Sequence, residues 1–198
     1  MELKRVVVTG LGAITPLGNN VTDYWNNLVN GLSGAAPTVR FDASKFKTQF
    51  ACEVKGFKPE EYFDRKEARK LDAYSQYGLA AAHQAYVDSG LEKEKINLDR
   101  CGVIWGSGIG GLDTFQYEVS GFAKGDGTPR FNPFFIPKMI ADICAGHISI
   151  QYSFRGPNFT TCAACASSIQ ISAGCFILTV SCHCKCAFSS SCGCRRSP

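Results

Sequence analysis

The hydrophobic pattern divides most of the chain into alternating segments of two periods. Residues 4–9 carry the unbroken apolar run Val6, Val7, Val8 after Arg5, which predicts a buried strand. Residues 10–18, with Pro16, predict a loop. Thr22 fits the N-cap of a helix reaching about Gly31, with Tyr24, Trp25, Leu28 and Val29 on one face and Gly31 and Gly34 as stops. Residues 50–54 read as a short strand. Asp64 or Asp72 opens the next helix, which runs to Asp88 with Leu71, Tyr74, Leu79, Ala82 and Val87 among its apolar positions; Gly90 closes it. Residues 101–105 predict a second buried strand, running into a glycine-rich loop at 106–111. A turn rich in Phe and Pro at 132–137 precedes a helix predicted over 138–152. A turn at 155–158 and a short strand at 159–163 then lead to Cys165. Strands alternating with helices predict an α/β architecture.

Beyond Ser168 this logic fails. Residues 181–194 are mostly Cys and Ser, with neither helical nor strand periodicity. Cysteine and charge change at the same place. Of 11 cysteines, three (Cys52, Cys101, Cys144) precede residue 160 and eight lie between Cys162 and Cys194. No Asp or Glu occurs from Thr161 onward, where Lys185, Arg195 and Arg196 supply three of the net +4 charges. The expected organisation is therefore a domain over 1–168 followed by a Cys/Ser-rich tail over 169–198. That tail is expected to be unstructured or not the native continuation, as a frame-shifted or mis-spliced reading would make it.

The nearly neutral body gives no basic stripe for nucleic acid. Both apolar stretches, 5–12 and 169–180, are too short to span a bilayer, and nothing reads as a signal peptide. A cytoplasmic, non-membrane protein is expected. A secreted disulfide framework would spread its cysteines over a small loop-rich domain, which this chain does not do.

Among motifs, the strongest is Gly156-Pro157-Asn158-Phe159-Thr160-Thr161 followed by Ala164-Cys165-Ala166-Ser167-Ser168. A strand runs into a cysteine flanked by small residues. A sharp strand-to-helix turn lifts a nucleophile out of a sheet and needs small neighbours; a following helix would offer N–H groups to a thiolate or oxyanion. The competing reading is a buried structural cysteine. Gly106-Ser107-Gly108-Ile109-Gly110-Gly111 matches a dinucleotide fingerprint, but no acidic residue ends a second strand about twenty residues on, as that fingerprint requires. Arg65, Lys66, Arg69 and Lys70 form a basic cluster, either a solvated helix face or a dock for an acidic partner. Cys162 and Cys165 form a C-x-x-C, a spacing that elsewhere signals thiol–disulfide exchange. The tail cysteines alternate as C-x-C with His183, unlike the spacing of zinc sites, so no metal and no cofactor is expected.

Taken together, residues 3–168 resemble the β-ketoacyl-acyl carrier protein synthases, and among them the type II condensing enzymes of the thiolase fold. The resemblance rests on the cysteine segment, residues 6–18, Arg40-Phe41-Asp42, the glycine loop, Asn132-Pro133-Phe134-Phe135-Ile136-Pro137 and Ala145-Gly146-His147, in that family's order. It implies the N-terminal half of a thiolase-like α/β/α fold. It also implies a decarboxylative Claisen condensation in fatty-acid biosynthesis: Cys165 takes an acyl chain from acyl carrier protein, and a malonyl-loaded carrier supplies the attacking carbanion. The backbone N–H of Cys165 would be one oxyanion donor. Ile109, Phe134 and Phe135 would bind the acyl substrate, Lys66, Arg69 and Lys70 the carrier protein, and the enzyme would be a homodimer. Simple core packing is an equal reading of Ile109, Phe134 and Phe135. The family's two catalytic histidines and its lysine match no residue here; His83, His147 and His183 do not take their places. Full condensation by this chain alone is therefore not expected.

At Cys162 and Ala163 the chain departs from the family, which more often has an aliphatic residue and Ser. Alternatives are a coenzyme A-dependent condensing enzyme of the same fold, a non-catalytic partner subunit, which Cys165 argues against, and a redox or metal-binding protein using the tail cysteines.

Overall fold

The computed structural model describes residues 7–167 and the backbone of Lys185–Ala187. Helix α1 (Val21–Val29) starts two residues earlier than expected. Asn20, not Thr22, is its N-cap and accepts a hydrogen bond from Asp23 N–H. Gly31 follows at φ +69°, a left-handed turn open to glycine at little cost. Strands β1 (Ala36–Pro37) and β2 (Phe50–Ala51) pair antiparallel. Both aspartates proposed to open the next helix do so. Asp64 caps the single turn α2 (Arg65–Ala68), and Asp72 caps the long α3 (Ala73–Asp88). Strand β3 (Cys101–Gly106) follows, buried along Cys101 to Trp105. Helix α4 (Leu112–Lys124) then occupies a stretch for which the apolar pattern predicted no element.

The helix expected over 138–152 is two: α5 (Phe135–Met139) and α6 (Ile143–Tyr152). Ile140, at ψ 140°, is extended and breaks the run. The break has a tertiary cause. Met139 O accepts the Gly111 N–H at 2.9 Å, and a Cβ on Gly110 would stand 3.1 Å from Ala141 N, so this segment packs backbone to backbone on the glycine loop. Strand β4 (Asn158–Thr161) sits one to two residues earlier than expected, and β5 (Lys185–Ala187) lies in the tail, where the pattern predicted no element.

β4, β3 and β5 form a parallel sheet with β3 in the centre. A central parallel strand is covered on both faces, which accounts for the unbroken apolar run of β3. Its Val103 and Trp105 join Leu79 and Ala82 of α3 and Cys144, Ala145 and Ile148 of α6 in one core. Tyr152 stacks on Tyr86 at 4.2 Å between ring centroids. Closeness is bought with glycine at Gly78 of α3: a Cβ there would lie 2.6 Å from the Trp105 ring and 2.7 Å from Cys144 Sγ.

The strand predicted at 4–9 is not formed in its described part. Val7 and Val8 are exposed and lie outside any strand; residues 1–6 are outside the described residues. Residues 10–13 instead lie along α3. Leu11 N–H donates to Asp88 Oδ2 and Ala13 N–H to Gln84 Oε1, and a Cβ on Gly12 would fall 1.9 Å from Ala81 O. Hydrogen bonds to helix side chains replace the sheet ladder. Among the described residues no helix is long and apolar enough to cross a membrane.

Candidate active site

The parallel pairing of β3 and β4 sets their carboxyl ends side by side. Gly106 pairs with Thr161, and Ser107 N–H extends the ladder to Thr161 O at 3.1 Å. Loops at the carboxyl ends of parallel strands are where open α/β sheets bind ligands. Two loops leave this edge: the glycine loop after β3 and the cysteine turn after β4.

The cysteine turn is sharp. Ala164 has φ 47°, in the left-handed region, and Ala166 N–H closes a turn on Ala163 O at 3.0 Å. A non-glycine residue there costs about 1–3 kcal/mol unless its surroundings fix it, and an alanine offers the least side chain to clash. Small neighbours were expected for this reason. What fixes the turn is Ser167, only 3% exposed. Its hydroxyl accepts the Ala163 N–H at 2.8 Å and lies 2.8 Å from Ala164 O and 3.1 Å from Ser107 O, its one proton serving either carbonyl. Ser167 thus ties both sides of the turn to the glycine loop. Cys162 adds a second tie, its Sγ donating to Gly108 O at 3.2 Å. The result presents Cys165 in a 3-10 turn (Ala164–Ala166) with its side chain exposed. The helix expected beyond it falls outside the described residues.

Gly106 to Gly111 runs from a strand to a helix, the context a dinucleotide site needs, yet the N–H groups at both its ends, Ser107 and Gly111, are already used. Gly111 N–H is held by Met139 O. Asp72, 5% exposed, accepts the N–H of Tyr74 at 3.2 Å, and its other oxygen accepts both the N–H and the hydroxyl of Thr114. One carboxylate therefore caps the first turns of α3 and α4 together. The N-terminus of α4, where a pyrophosphate would sit, already holds an anion of the protein. Gly110, at φ +102°, and Gly111 have backbone where a Cβ would go, 2.4 Å and 2.3 Å from Met139 O and Lys138 O. These glycines permit packing rather than phosphate binding.

Ile109, at the tip of this loop, is 68% exposed. Its loop meets the cysteine turn through Ser107 and Gly108. Phe134 and Phe135 lie at the start of α5, whose Lys138 and Met139 pack on this loop. Phe135 stacks on Phe131 at 5.8 Å and on Phe115 of α4 at 6.4 Å, while the Phe134 ring has Lys70 Nζ at 5.8 Å. Lys66, Arg69 and Lys70 are exposed, and Lys138 Nζ reaches Arg69 O at 3.3 Å. The structure thus brings Lys70 and Phe134 together.

Of the other described cysteines, Cys52 and Cys162 are also exposed, while Cys101 and Cys144 are buried. Cys144 is wholly buried, and burial pushes its thiol up to about 12. His147 is half-buried on α6, and desolvation lowers its pKa. His83 is exposed and lies 3.3 Å from the Tyr152 hydroxyl. Among the described residues no group of three or more His, Cys, Asp or Glu could hold a metal ion. His183 and the tail cysteines that a metal-binding reading would use lie outside the residues whose side chains are described. Three contributors escape a reading of sequence alone: Ser167, Asp72 and Thr114. Ser167 looks like one more small residue after the cysteine. Asp72 reads only as a helix opener, because its bond to Thr114 spans 42 residues.

Comparison with known proteins agrees with this arrangement. The family model "Beta-ketoacyl synthase, N-terminal domain" matches residues 3–182, further into the tail than residue 168, where the sequence resemblance was expected to stop. The 3-oxoacyl-[acyl-carrier-protein] synthase 2 of Coxiella burnetii is 44% identical over 170 residues, covering 86% of this chain and 41% of that protein. A beta-ketoacyl synthase from Burkholderia phymatum superposes with a TM-score of 0.73 at 25% identity, over 89% of this chain and 44% of that one. A type II PKS ketosynthase solved in complex with its acyl-carrier protein superposes at 0.67 with 22% identity, over 87% of this chain and 45% of that one. The chain spans about two-fifths of the length of the curated relatives it matches.

Proposed function

The chain belongs to the β-ketoacyl synthase family, and from that premise we propose that Cys165 is its acyl-accepting nucleophile in fatty-acid elongation. The observation that carries the reading is the exposed Cys165 on a turn locked by Ser167 at the carboxyl ends of two parallel strands. The Cys165 thiolate attacks the carbonyl carbon of an acyl thioester. The tetrahedral intermediate places its negative charge on the former carbonyl oxygen, with the Cys165 backbone N–H as one donor to it. Collapse expels the carrier thiolate and leaves the acyl chain on Sγ. A thioester remains reactive toward the carbanion released when a malonyl carrier loses carbon dioxide, which completes the condensation.

The carrier is an acyl carrier protein. The exposed cations Lys66, Arg69 and Lys70 support this, since a basic face steers an acidic partner. The name of the Coxiella relative and the carrier-bound ketosynthase complex point the same way. Ile109, on the loop beside Cys165, binds the acyl substrate together with Phe134 and Phe135. The protein works in the cytoplasm, where its thiols stay reduced, and as a homodimer. The exposed Tyr117, Phe122 and Ile136 on and beside α4 give a second copy apolar surface to cover. The residues needed to polarise the malonyl carbonyl are not assigned among those of this chain.

The test is intact-mass and peptide analysis after incubation with acyl-loaded carrier protein. One acyl group on Cys165, lost in Cys165→Ala, is expected. An unmodified wild-type chain, or an adduct that persists in Cys165→Ala, sinks the reading. Acylation by acyl-coenzyme A but not by the carrier would move the assignment to the coenzyme A-dependent enzymes of the same fold.

A further inference from the structure

We propose that Cys162 is a resolving thiol for Cys165, so that the pair closes a reversible disulfide that shuts the acyl-accepting site under oxidation. Two cysteines in a C-x-x-C flank Ala163 and Ala164, and both are exposed. The chain between them turns sharply, with Ala164 left-handed and the Ala163 carbonyl bonded back from Ala166. A disulfide needs its Cα atoms within roughly 4.4–6.8 Å, a span that a tight turn supplies and an extended strand does not. Cys162 is the first residue past β4, so no strand pairing has to break for it to move. Its thiol gives up one weak hydrogen bond, to Gly108 O. The described cysteines of the core cannot compete: Cys144 is wholly buried and Cys101 is buried in the central strand.

The oxidant is a hydroperoxide. The Cys165 thiolate attacks the distal oxygen, the O–O bond breaks, and the products are an alcohol and Cys165 sulfenic acid. The Cys162 thiolate then attacks the sulfenic sulfur and expels hydroxide, which leaves as water. Overall two thiols and one hydroperoxide give one disulfide, one alcohol and one water; the sulfur atoms lose the two electrons that the peroxide gains. A dithiol returns the pair by exchange and becomes a disulfide itself. An aliphatic residue at this position would leave the sulfenic acid to be oxidised onward to the sulfinic form, which is not reversed by thiols. The regulatory meaning rests on Cys165 being the acyl acceptor; the disulfide chemistry does not.

The experiment treats the full chain with hydrogen peroxide, caps free thiols, and maps the disulfide-linked peptides by tandem mass spectrometry. The expected product is a Cys162–Cys165 bond with a loss of two hydrogens, loss of Cys165 alkylation, and full return of alkylation with dithiothreitol. In Cys162→Ala, Cys165 should carry sulfinic acid after peroxide and stay blocked to alkylation when dithiothreitol is added. Bonding of Cys165 to a tail cysteine, or equal recovery in Cys162→Ala, overturns the proposal. Mapping the wild-type chain decides the matter even if the variant does not fold. Because acylation is read separately, a chain that forms the disulfide but takes no acyl group refutes the function and leaves the redox pair standing.

Discussion

Cys144 and Cys165 lie 21 positions apart, and the fold gives them opposite surroundings. Cys144 sits on α6 against Gly78 and Trp105, without solvent and with its thiol pushed up to about 12 by burial alone. Cys165 sits past the end of a strand, on a turn tied to the glycine loop by Ser167 and Cys162, and is exposed. The core around Cys144 is built from regular elements whose side chains interlock. The turn around Cys165 is built from small residues, a left-handed alanine and hydrogen bonds between loops. The first arrangement makes a thiol inert, and the second makes it available. A cysteine's chemistry in this protein is therefore a property of its element and its neighbours.

The largest effect should come from native-state alkylation. Cys165 and Cys162 should label in the folded chain, while Cys144 should label only as fast as the core opens, slower by a thousandfold or more on the order of typical folding equilibria. Comparable labelling of all three, read by peptide mass, would erase the contrast.

A smaller effect is expected from filling the core. Gly78→Val places methyl groups where a Cβ alone already falls 2.6 Å from Trp105. Overpacking of this kind should cost about 1–3 kcal/mol, measured by urea unfolding. Cys165 labelling should stay fast in the variant while the midpoint falls. A midpoint at or above wild type would mean that the helix–strand contact is looser than described.

The smallest effect concerns pH. Burial holds the His147 pKa below its ordinary value, so the unfolded chain takes up that proton first as pH falls. Stability from this site is complete above the unfolded value, about 6.5, and is lost as pH drops from there toward the folded pKa. His147→Gln should flatten that part of the stability–pH curve and leave Cys165 acylation unchanged. A curve identical to wild type would mean that His147 is not desolvated as its position on α6 indicates.

Much of the fold could be read from local pattern. The buried strand at β3, the Asp72-opened helix α3, the glycine stops and the α/β order all follow from periodicity and caps that act within a few residues. The strand expected at 4–9 shows where that reading ends. Val7 and Val8 have the residue type of a buried strand, but a strand also needs a hydrogen-bonded neighbour, and both lie exposed outside any sheet where the loop after them packs on α3. The single helix expected over 138–152 fails for a similar reason. Nothing local breaks it; the glycine loop packed against Met139 and Ala141 does.

The sequence by itself determined where the candidate chemistry lies. It set the cysteine among small neighbours, the motif order that marks the family, the C-x-x-C and the cluster of cations, all of which are matters of residue type and spacing. Tertiary structure alone decided which thiol is reachable and what holds it. Ser167 reaches Ser107 across 60 residues, and Asp72 caps a second helix at Thr114 across 42. Contacts of that span join positions that no periodicity links, because they depend on where two strands end in space rather than on how either strand begins in sequence.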